Sequence, residues 1–509
     1  MMGAGQQTPQ ARYMTEPKHW PLVNTLNSRN QGSLLDARLV NAYAEKDPDS
    51  GEYDVEKRFG FSPNPAFANV GGPAVGRGIF SYSSPTQAPI PTIIYITGTN
   101  AYLIPAELVL GNLVLGTPIL LLGGLVGYNN TGKFQFTAIP GTVNPLVIYA
   151  SNKGLTSTAY VYSSGAQAIL NGGDSSGFPS QVVSGIVYLD GYCYVMDIFG
   201  GIWQTAVVEV VAGAGAWSAN VIYAQNKADQ GVQLAKQSIY IIAIKTWSTQ
   251  FFYDAGNPNG SSLSPVPGAT FDIGCLDSDT FADLDGTQFW VSQSEVGSYG
   301  IAMCKDMQIS NIATPAVARQ LELGPGSTWY SLCFQRGGHS FYVITNVSKN
   351  TTMVYDVGEK LWHIWTDFAG NYWPVVSRTQ SPFGTEWHQL GSTGAVYEVE
   401  PDYIYPNDYG NVVPVDIYTP NETFGVDRIK YLSQMRIDAD QTTGSSLLIR
   451  YSDNDYTSWS SFRKVDLGQQ RPIINDEGSF YRRAYHFRHF ANTAFRIGSA
   501  ELQMDIGTL

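Results

Sequence analysis

The sequence predicts an all-β fold, a β-propeller of six or seven blades with an additional C-terminal β domain. A short cassette recurs along the chain, in which an apolar-aromatic strand, a tight turn and a second strand are often followed by tryptophan. Its clearest copies are residues 186–203 and 332–362. Successive turns lie roughly 40 to 55 residues apart, which is the period of a propeller blade of about four strands.

The turns of these cassettes are the best local evidence for hairpins. Asp190-Gly191 and Gly337-Gly338 lie between alternating apolar runs, which is the strongest short-range signal for a tight β-turn. Weaker copies centre on residues 97–100, 152–154, 245–248, 285–286 and 391–394. Because one blade cannot bury both of its faces, blades must stack around an axis to form a core. This pattern is typical of a scaffold or binding platform rather than an enzyme.

The composition agrees with a β-rich protein that has large subunit contacts. The 509 residues suit a propeller with one or two further domains. Aromatic residues make up 13% of the chain, and charged residues only 14%, against a usual ~25%. The net charge of −13 argues against a protein that grips nucleic acid through its phosphates. This negative net charge still permits a surface past which DNA slides.

Residues 1–65 are polar and contain no hairpin repeat, which predicts an N-terminal arm and propeller-closing segment. Residues 66–402 hold the cassettes and form the predicted propeller. From residue 403 onward, prolines mark a linker and new alternating strands follow. Residues 403–509 are therefore predicted to form a C-terminal β-sandwich-like domain.

The uncharged run at residues 108–126 is the one segment that resembles a membrane span. Its glycines and proline disfavour a spanning helix, so we expect two or three short buried strands with a turn at Gly111-Asn112. If these strands are instead exposed at the edge of a sheet, they mark a subunit contact. Residues 1–20 lack the apolar centre of a signal peptide. Four widely spaced cysteines predict buried free thiols in a protein folded in a reducing cytoplasm: Cys193, Cys275, Cys304 and Cys333.

Two clusters of polar residues are candidates for chemistry. Asp277 and Asp279 have the alternate spacing of calcium ligands, but the glycine and terminal acid of an EF-hand are missing. Solvated turn residues are the preferred interpretation, and no metal site is predicted. The histidine and acid set is spread over different cassettes, with no spacing typical of a triad or a zinc site: His339, His363, Asp367 and His388. We predict no catalytic residues and no cofactor.

The segment YSDNDYTSW, residues 451–459, resembles the Asp-box turn of sialidase-type propellers. In that turn serine and aspartate bond the backbone and tryptophan packs beneath. Asp455 and Tyr456 stand where glycines are expected. The turn is structural in sialidases as well, so it supports a fold and not an activity. Its predicted members are Ser452, Asp453, Asp455 and Trp459.

Residues 481–496 concentrate four arginines and two histidines in a chain with only 30 basic residues. Arginine pairs bidentately with carboxylates and stacks on aromatic rings. We therefore predict a docking surface for an acidic neighbour, with a solvated strand face as the alternative. The candidate interface residues are Arg482, Arg483, Tyr485 and Arg488.

Several segments resemble the tail accessory factors, or packaged-DNA stabilisation proteins, of short-tailed bacteriophages. Residues 21–61 carry Asn24, then LVNAYAE from Leu39, then Arg58-Phe59-Gly60-Phe61. Residues 239–256 are similar to the family's strand, polar turn, aromatic strand and glycine. The serine-aspartate turn at 452–459 and the arginine-rich aromatic strands at 480–497 resemble the family best.

The resemblance implies a virion structural protein, a tail hub without enzymatic activity. Such a hub assembles as a homo-hexameric ring below the portal and adaptor, closes the head after packaging, and retains DNA. It also forms part of the ejection conduit and a platform for tail fibres or tailspikes and for needle or nozzle proteins. The implied DNA contact is transient and without sequence recognition. No membrane contact is implied, and the location is the virion tail after folding in the host cytoplasm.

Two alternatives remain at this point. One is a glycan-binding or glycan-cleaving, sialidase-like propeller that acts on host surface polysaccharide. A convergent acidic pair in a deep central pocket would favour it. The other is a secreted or surface lectin-like adhesin, which calcium bound at Asp277 and Asp279 would favour.

Overall fold

The structure is a computed structural model of the chain. It describes residues 17–23, 36–67, 74–83, 90–127, 132–140, 146–151, 153–154, 158–163, 166–205, 214–322 and 326–507. Residue 152 of the predicted turn and Asn24 lie outside this set. Within it, strands dominate, with one α-helix, α1 (Pro315–Glu322), and two 3-10 turns at Pro65–Phe67 and Ser278–Thr280. None of the described helices has the length and apolarity needed to cross a membrane.

The strands of the first half of the chain are β1 (Lys18–Pro21), β2 (Arg38–Val40), β3 (Ala42–Lys46), β4 (Tyr53–Lys57), β5 (Gly60–Pro63), β6 (Gly76–Tyr82), β7 (Thr92–Thr97), β8 (Asn100–Val109), β9 (Asn112–Leu115), β10 (Ile119–Leu122), β11 (Gln135–Ile139), β12 (Leu146–Ala150), β13 (Thr158–Ser163), β14 (Ala166–Asn171), β15 (Val182–Leu189), β16 (Tyr192–Asp197), β17 (Gly201–Thr205), β18 (Trp217–Tyr223), β19 (Gly231–Gln237), β20 (Tyr240–Lys245) and β21 (Thr249–Asp254).

The strands of the second half are β22 (Leu263–Phe271), β23 (Gly274–Cys275), β24 (Ala282–Leu284), β25 (Thr287–Gln293), β26 (Tyr299–Lys305), β27 (Gln308–Asn311), β28 (Trp329–Arg336), β29 (His339–Asn346), β30 (Thr351–Asp356), β31 (Leu361–Ile364), β32 (Val375–Gln380), β33 (Glu386–Leu390), β34 (Val396–Glu400), β35 (Asn407–Asp408), β36 (Asn411–Val412), β37 (Val415–Tyr418), β38 (Lys430–Ala439), β39 (Ser446–Ser452), β40 (Arg463–Asp466), β41 (Ile473–Phe480), β42 (Ala484–His489) and β43 (Arg496–Ile506).

The chain forms two compact units. The propeller unit comprises Phe61–Val357 and Ala369–Glu400, and the sandwich unit comprises Met1–Gly60, Gly358–Phe368 and Pro401–Leu509. These bounds differ from the predicted division at residues 65 and 402. The reason is strand pairing: β4 and β1 pair with β43, and β2 pairs with β37. The N-terminal strands are therefore part of the C-terminal β domain, which the local sequence pattern did not reveal.

In the described part of the propeller unit, the strands form seven groups in chain order. They are β6-β7-β8-β10, β11–β14, β15–β18, β19–β22, β23–β27, β28–β30 and β32–β34. Strand β5 lies beside β34, so a segment from before the first group completes the seventh. Phe61 of β5 is buried and stacks on Trp373 with ring centroids 5.6 Å apart.

The seven groups close into a ring through their innermost strands and through shared apolar clusters. Strand β6 of the first group contacts both β11 of the second and β32 of the seventh. The buried clusters each draw on two neighbouring groups; one joins Ile79 and Tyr95 of the first group to Trp387 of the seventh. Full burial of one such side chain contributes about 1.5–3 kcal/mol. Stacking between groups, rather than any single group, therefore supplies the core.

The predicted cassettes are confirmed as hairpins. Strands β15 and β16 pair antiparallel around Asp190 and Gly191, whose φ angles are 47° and 92°. Strands β28 and β29 pair around Gly337 and Gly338, with φ angles of 58° and 85°. Two successive residues with positive φ define the mirror-image turn that matches strand twist. All four cysteines are buried and free, as predicted.

The sandwich unit packs two sheets face to face. One sheet has the order β3-β4-β43-β38-β41, with β1 also paired to β43; the other contains β31-β2-β37-β42-β39-β40. Alternate residues of both sheets point into one shared core, which includes Val55, Ile417, Leu502 and Phe487. The outer sides of the two sheets, away from this core, therefore face in opposite directions.

Residues of the N-terminal motif tie the sandwich unit together. The buried Arg58 guanidinium donates to both carboxylate oxygens of Asp408, at 3.0 and 2.6 Å. Its Nε donates to Asn41 Oδ1 at 3.0 Å, and Asn41 Nδ2 donates to the Thr366 hydroxyl at 2.7 Å. This network joins three segments that are far apart in sequence. The family-like residues Asn41 and Arg58 are thus structural.

Glu56 gives the sandwich unit a stability that depends on pH. Burial, and then its hydrogen bond with Glu45, raise the pKa of Glu56 from 4.5 to about 7. Between these values the folded chain holds a proton that the unfolded chain has lost, so stability falls as pH rises through this window. We expect the melting temperature of this unit to decrease from pH 5 to 7.5, and Glu56→Gln to flatten that decrease. Glu501→Gln is the control, and equal slopes for all three proteins would contradict this assignment.

Candidate functional site

A short segment plugs one end of the propeller axis. It runs from Asp277 to Phe281 in the fifth group. The Ser278 hydroxyl lies 3.0 Å from the Ser184 hydroxyl of β15, and Ser331 Oγ of β28 donates to the carbonyls of Asp279 and Phe281, at 2.7 and 2.9 Å. Because these bonds reach the third and sixth groups, the segment lies across the centre of the ring.

The predicted calcium ligands belong to this plug. Lys153 Nζ, from the second group, lies 2.8 Å from Asp277 Oδ1 and 2.7 Å from Asp279 Oδ2. Burial opposes the charge on Lys153, but Asp279 and Asp277 outweigh it and raise its pKa. One ammonium group thus offsets part of the charge of the two carboxylates, and burial raises the pKa of Asp279. Asp277 also caps the 3-10 turn by accepting from the Asp279 N–H at 2.9 Å. Across the described residues, no set of three or more His, Cys, Asp or Glu side chains is grouped as a metal site.

A second lysine crosses the plugged end of the axis. Lys133 precedes β11, and its Nζ donates to the Ser331 carbonyl of β28 at 2.8 Å. Burial lowers the pKa of Lys133, and Asp279 only partly offsets this effect. No pattern in the sequence indicates this cluster, because its members come from four different groups of strands.

A cavity of about 630 Å³ lies against the inner strands β11, β15 and β19. Among its described lining residues, Asp283 is the one carboxylate. Asp283 accepts a hydrogen bond from Gln288 at 2.6 Å, and burial raises its pKa. Glycoside hydrolysis generally uses two flanking carboxylates, and this cavity does not present such a pair.

The histidine and acid set does not form one site. In the propeller unit, His339 Nδ1 lies 2.6 Å from Asp356, and His388 Nε2 lies 3.1 Å from Glu386. Each pair is buried within its own hairpin, and burial lowers the pKa of His388. His363 and Asp367 belong to the sandwich unit. These pairs stabilise strands rather than present a reactive group.

The Asp-box-like segment lies between β39 and β40 of the sandwich unit. Ser452 Oγ accepts from the Tyr456 N–H at 3.0 Å. Asp455 and Tyr456 have φ angles of 57° and 67°, the conformation in which glycine is favoured. Trp459 packs edge-on against Tyr418 at 5.8 Å. The side chain of Asp453 points to Arg483 instead of the turn backbone.

The predicted arginine interface divides into buried and exposed residues. Arg483 is 1% exposed, donates to both oxygens of Asp453 at 2.7 and 2.9 Å, and stacks 3.7 Å from the Tyr451 ring centroid. Tyr485 is fully buried. These two residues therefore cannot form a docking surface. Arg482 and Arg488 are exposed at 48% and 38% of their side chains.

The alternation of side chains along a strand could have distinguished the buried residues of this segment from the exposed ones. Tyr485 and Phe487 are apolar and point into the core. Arg483 has the same parity along the chain, so it points inward as well. Arg482 and Arg488 have the opposite parity, and a role for them in assembly stays a prediction.

The run at residues 108–126 forms strands as predicted, but it is exposed rather than buried. We call it the apolar ribbon: the end of β8, strand β9 and strand β10. Strand β9 pairs with β8 around a turn at Leu110 and Gly111. Leu110 is 98% exposed, and Ile119 and Leu120 are 53% and 56% exposed. Further exposed apolar residues of the ribbon are Leu108, Val109, Val114 and Val126.

One protein-family model matches part of the chain. Residues 203–369 match the phage stabilisation family, described as "Bacteriophage P22 Gp10, beta-propeller". The match confirms the predicted resemblance to phage tail accessory, DNA-stabilisation proteins, and it confirms the predicted β-propeller fold class. That family is structural and not enzymatic. A search of curated proteins finds no match.

Solved structures similar to the chain include three with 8–12% sequence identity. BamB from Moraxella catarrhalis has a TM-score of 0.33 and 11% identity, covering 76% of this chain and 96% of BamB. YCF48 from Cyanidioschyzon merolae has a TM-score of 0.37 and 12% identity, covering 67% and 98%. The N-terminal domain of Nup159 has a TM-score of 0.37 and 8% identity, covering 72% and 99%.

Proposed function

From its match to the phage DNA-stabilisation family, we propose that this chain is the tail hub of a short-tailed phage. In this proposal, copies form a ring below the portal and adaptor, most simply a hexamer. The ring closes the head, retains the packaged DNA, and carries fibres or tailspikes and needle or nozzle proteins. It has no enzymatic activity and acts in the virion tail after folding in the host cytoplasm.

The family match carries this proposal, and the apolar ribbon supports the assembly of copies that it requires. Monomeric proteins rarely expose contiguous apolar patches larger than a few hundred Å². The ribbon contains no charged residue between 108 and 126, and most of its large side chains are exposed. Such a surface is suited to burial in an assembly, and a protein that acts alone in solution would have no use for it.

The plug sets where a DNA conduit can lie in this proposal. The segment from Asp277 to Phe281 bonds across one end of the propeller axis, and Lys133 and Lys153 pack against it. Duplex DNA cannot share that space with packed side chains. The proposed conduit is therefore enclosed by the ring of copies and does not pass through the blades of one copy. Contact with the DNA would be transient, because the chain carries a charge of −13.

The experiment replaces apolar side chains of the ribbon with lysine. We expect Leu110→Lys/Leu120→Lys to fold normally, because both side chains are exposed, but to enter tails poorly and give particles that lose DNA. The matched control is Phe199→Lys/Val296→Lys, which alters residues that are 71% and 91% exposed elsewhere in the propeller unit. Incorporation and DNA retention are measured after complementation. Full incorporation of the ribbon variant would contradict the proposal.

A further inference from the structure

We propose that the two outer sheet faces of the sandwich unit are the two halves of one contact between copies of this chain. The arginine face of one copy docks on the acidic face of the next. This inference rests on the proposed function, which requires copies to assemble, and it identifies the surfaces that they use.

The arginine face is the outer side of β2, β37, β42, β39 and β40. In one row across four adjacent strands, Arg38 lies opposite Tyr418, Tyr418 opposite His486, and His486 opposite Arg450. The Arg38 guanidinium lies 3.7 Å from the Tyr418 ring centroid, and the Tyr418 and His486 rings stack at 4.0 Å. Arg450 Nε donates to His486 Nδ1 at 2.9 Å. Arg38 and His486 are buried, at 5% and 0% exposure, so this row supports the face from beneath and does not itself contact a partner.

A second row adds the accessible charges of this face. Arg488 lies opposite Leu448, and Leu448 lies opposite Lys464. Arg488 is 38% exposed and Lys464 is exposed. Asp416, 3.5 Å from Arg488, is largely shielded, and the exposed Asp466 lies on the same side of β40 as Lys464. These two carboxylates offset part of the positive charge of the face. The exposed ring of Phe462 borders the face and lies 4.4 Å from the Arg450 guanidinium.

The acidic face is the outer side of β3, β4, β43 and β38. Glu45 lies opposite Asp54 on paired strands, and Glu56 follows on the same side. Burial is the main cause that raises the pKa of both Asp54 and Glu56, and their acidic neighbours add to it. The remaining acids of the face are Asp438, Glu501 and Asp505. Two arginines, Arg436 and Arg496, lie among these six acids and leave a net negative surface.

Charge complementarity identifies the partner as a second copy. The two faces lie on opposite sides of one shared core, so a contact between them joins different surfaces of successive copies. Contacts of this head-to-tail kind generate rings when the rotation closes. In a protein of charge −13, a basic sheet face opposite an acidic one gives two copies a defined register, and repulsion between like charges suppresses wrong pairings.

The test reverses each face separately. Arg488→Glu/Lys464→Glu makes both faces acidic, and Glu45→Lys/Asp438→Lys/Asp505→Lys makes both faces basic. We expect each variant to stay folded and to weaken self-association by about tenfold or more, because like charges then meet across the contact. Lys305→Glu/Lys349→Glu, two exposed lysines of the propeller unit, is the control of equal charge change. Sedimentation and mass photometry measure assembly, and circular dichroism checks the fold.

Rescue distinguishes this contact from a general effect of charge. Mixing the two reversed variants should restore assembly, and so should all five substitutions in one chain, because opposite charges then meet again. Wild-type self-association should also weaken with salt.

Variants that assemble as well as wild type would overturn this inference but leave the proposed function standing. A wild-type protein that stays monomeric at all concentrations would overturn both this contact and the proposed ring. Binding of duplex DNA that depends on Arg488 and Lys464, without any effect of the reversals on assembly, would assign the arginine face to nucleic acid instead.

Discussion

Replacing Arg58 with methionine is expected to destabilise the sandwich unit by about 3–5 kcal/mol, because it leaves the Asp408 carboxylate buried without its partner. Both side chains are almost fully buried, at 1% and 2% exposure. The guanidinium also holds Asn41 and the Thr366 carbonyl. Denaturant unfolding, with hydrogen exchange to identify the strands of this unit, measures the loss.

The matched control is Arg436→Met, which removes a surface ion pair in the same unit. Arg436 and Glu501 are 39% and 37% exposed and 2.9 Å apart, and pairs of this kind contribute about 0–1 kcal/mol. The double variant Arg58→Met/Asp408→Leu should recover part of the loss, because it removes the orphaned charge. A loss for Arg58→Met no larger than for Arg436→Met would show that the buried pair does not hold the segments together.

The second large effect is expected at Arg483. Its guanidinium pairs with Asp453, donates to the Glu477 carbonyl, and lies between the rings of Tyr451 and Phe480, 3.7 and 4.2 Å from their centroids. Arg483→Met should therefore cost about 1–3 kcal/mol of unfolding free energy, because the buried Glu477 carbonyl loses its donor, whereas Asp453, 39% exposed, can be solvated by water. The measurement is again unfolding of the sandwich unit.

Its neighbour in sequence supplies the control. Arg482 is 48% exposed and pairs with Asp455, which is 40% exposed, so Arg482→Met should change stability by less than about 1 kcal/mol. If both arginines were changed to glutamate, a defect in tail assembly could not be attributed to a lost contact, because Arg483→Glu damages the fold itself. Equal stability losses at the two positions would refute the assignment of Arg483 to the core.

The parts of the fold that are local in sequence could be predicted from it. The turn at Asp190-Gly191 formed as expected because neighbouring residues alone determine a two-residue hairpin. The strand pairing of the N-terminal segment is not local, because β4 pairs with β43, more than 400 residues later in the chain. No periodicity within either segment encodes that pairing, so the domain bounds differed from those predicted.

The candidate surfaces were predictable only in part. The apolar ribbon was recognised as strands, but hydrophobicity alone could not tell whether a partner strand or another molecule covers Leu110 and Leu120. Composition predicted an arginine-rich segment, and alternation along β42 could have separated Arg483 from Arg488. The face that includes Arg38 and Tyr418 arises from pairing between distant strands, and only the structure brings them together.

The most direct test of the central claim is DNA retention in particles assembled without this chain. The account predicts that heads package DNA normally and then lose it, that the purified protein restores retention, and that cryo-electron microscopy places it in the tail below the portal. The ribbon variant Leu110→Lys/Leu120→Lys should fail to restore retention. Particles that lack the chain and still hold their DNA as well as complete particles would contradict the account.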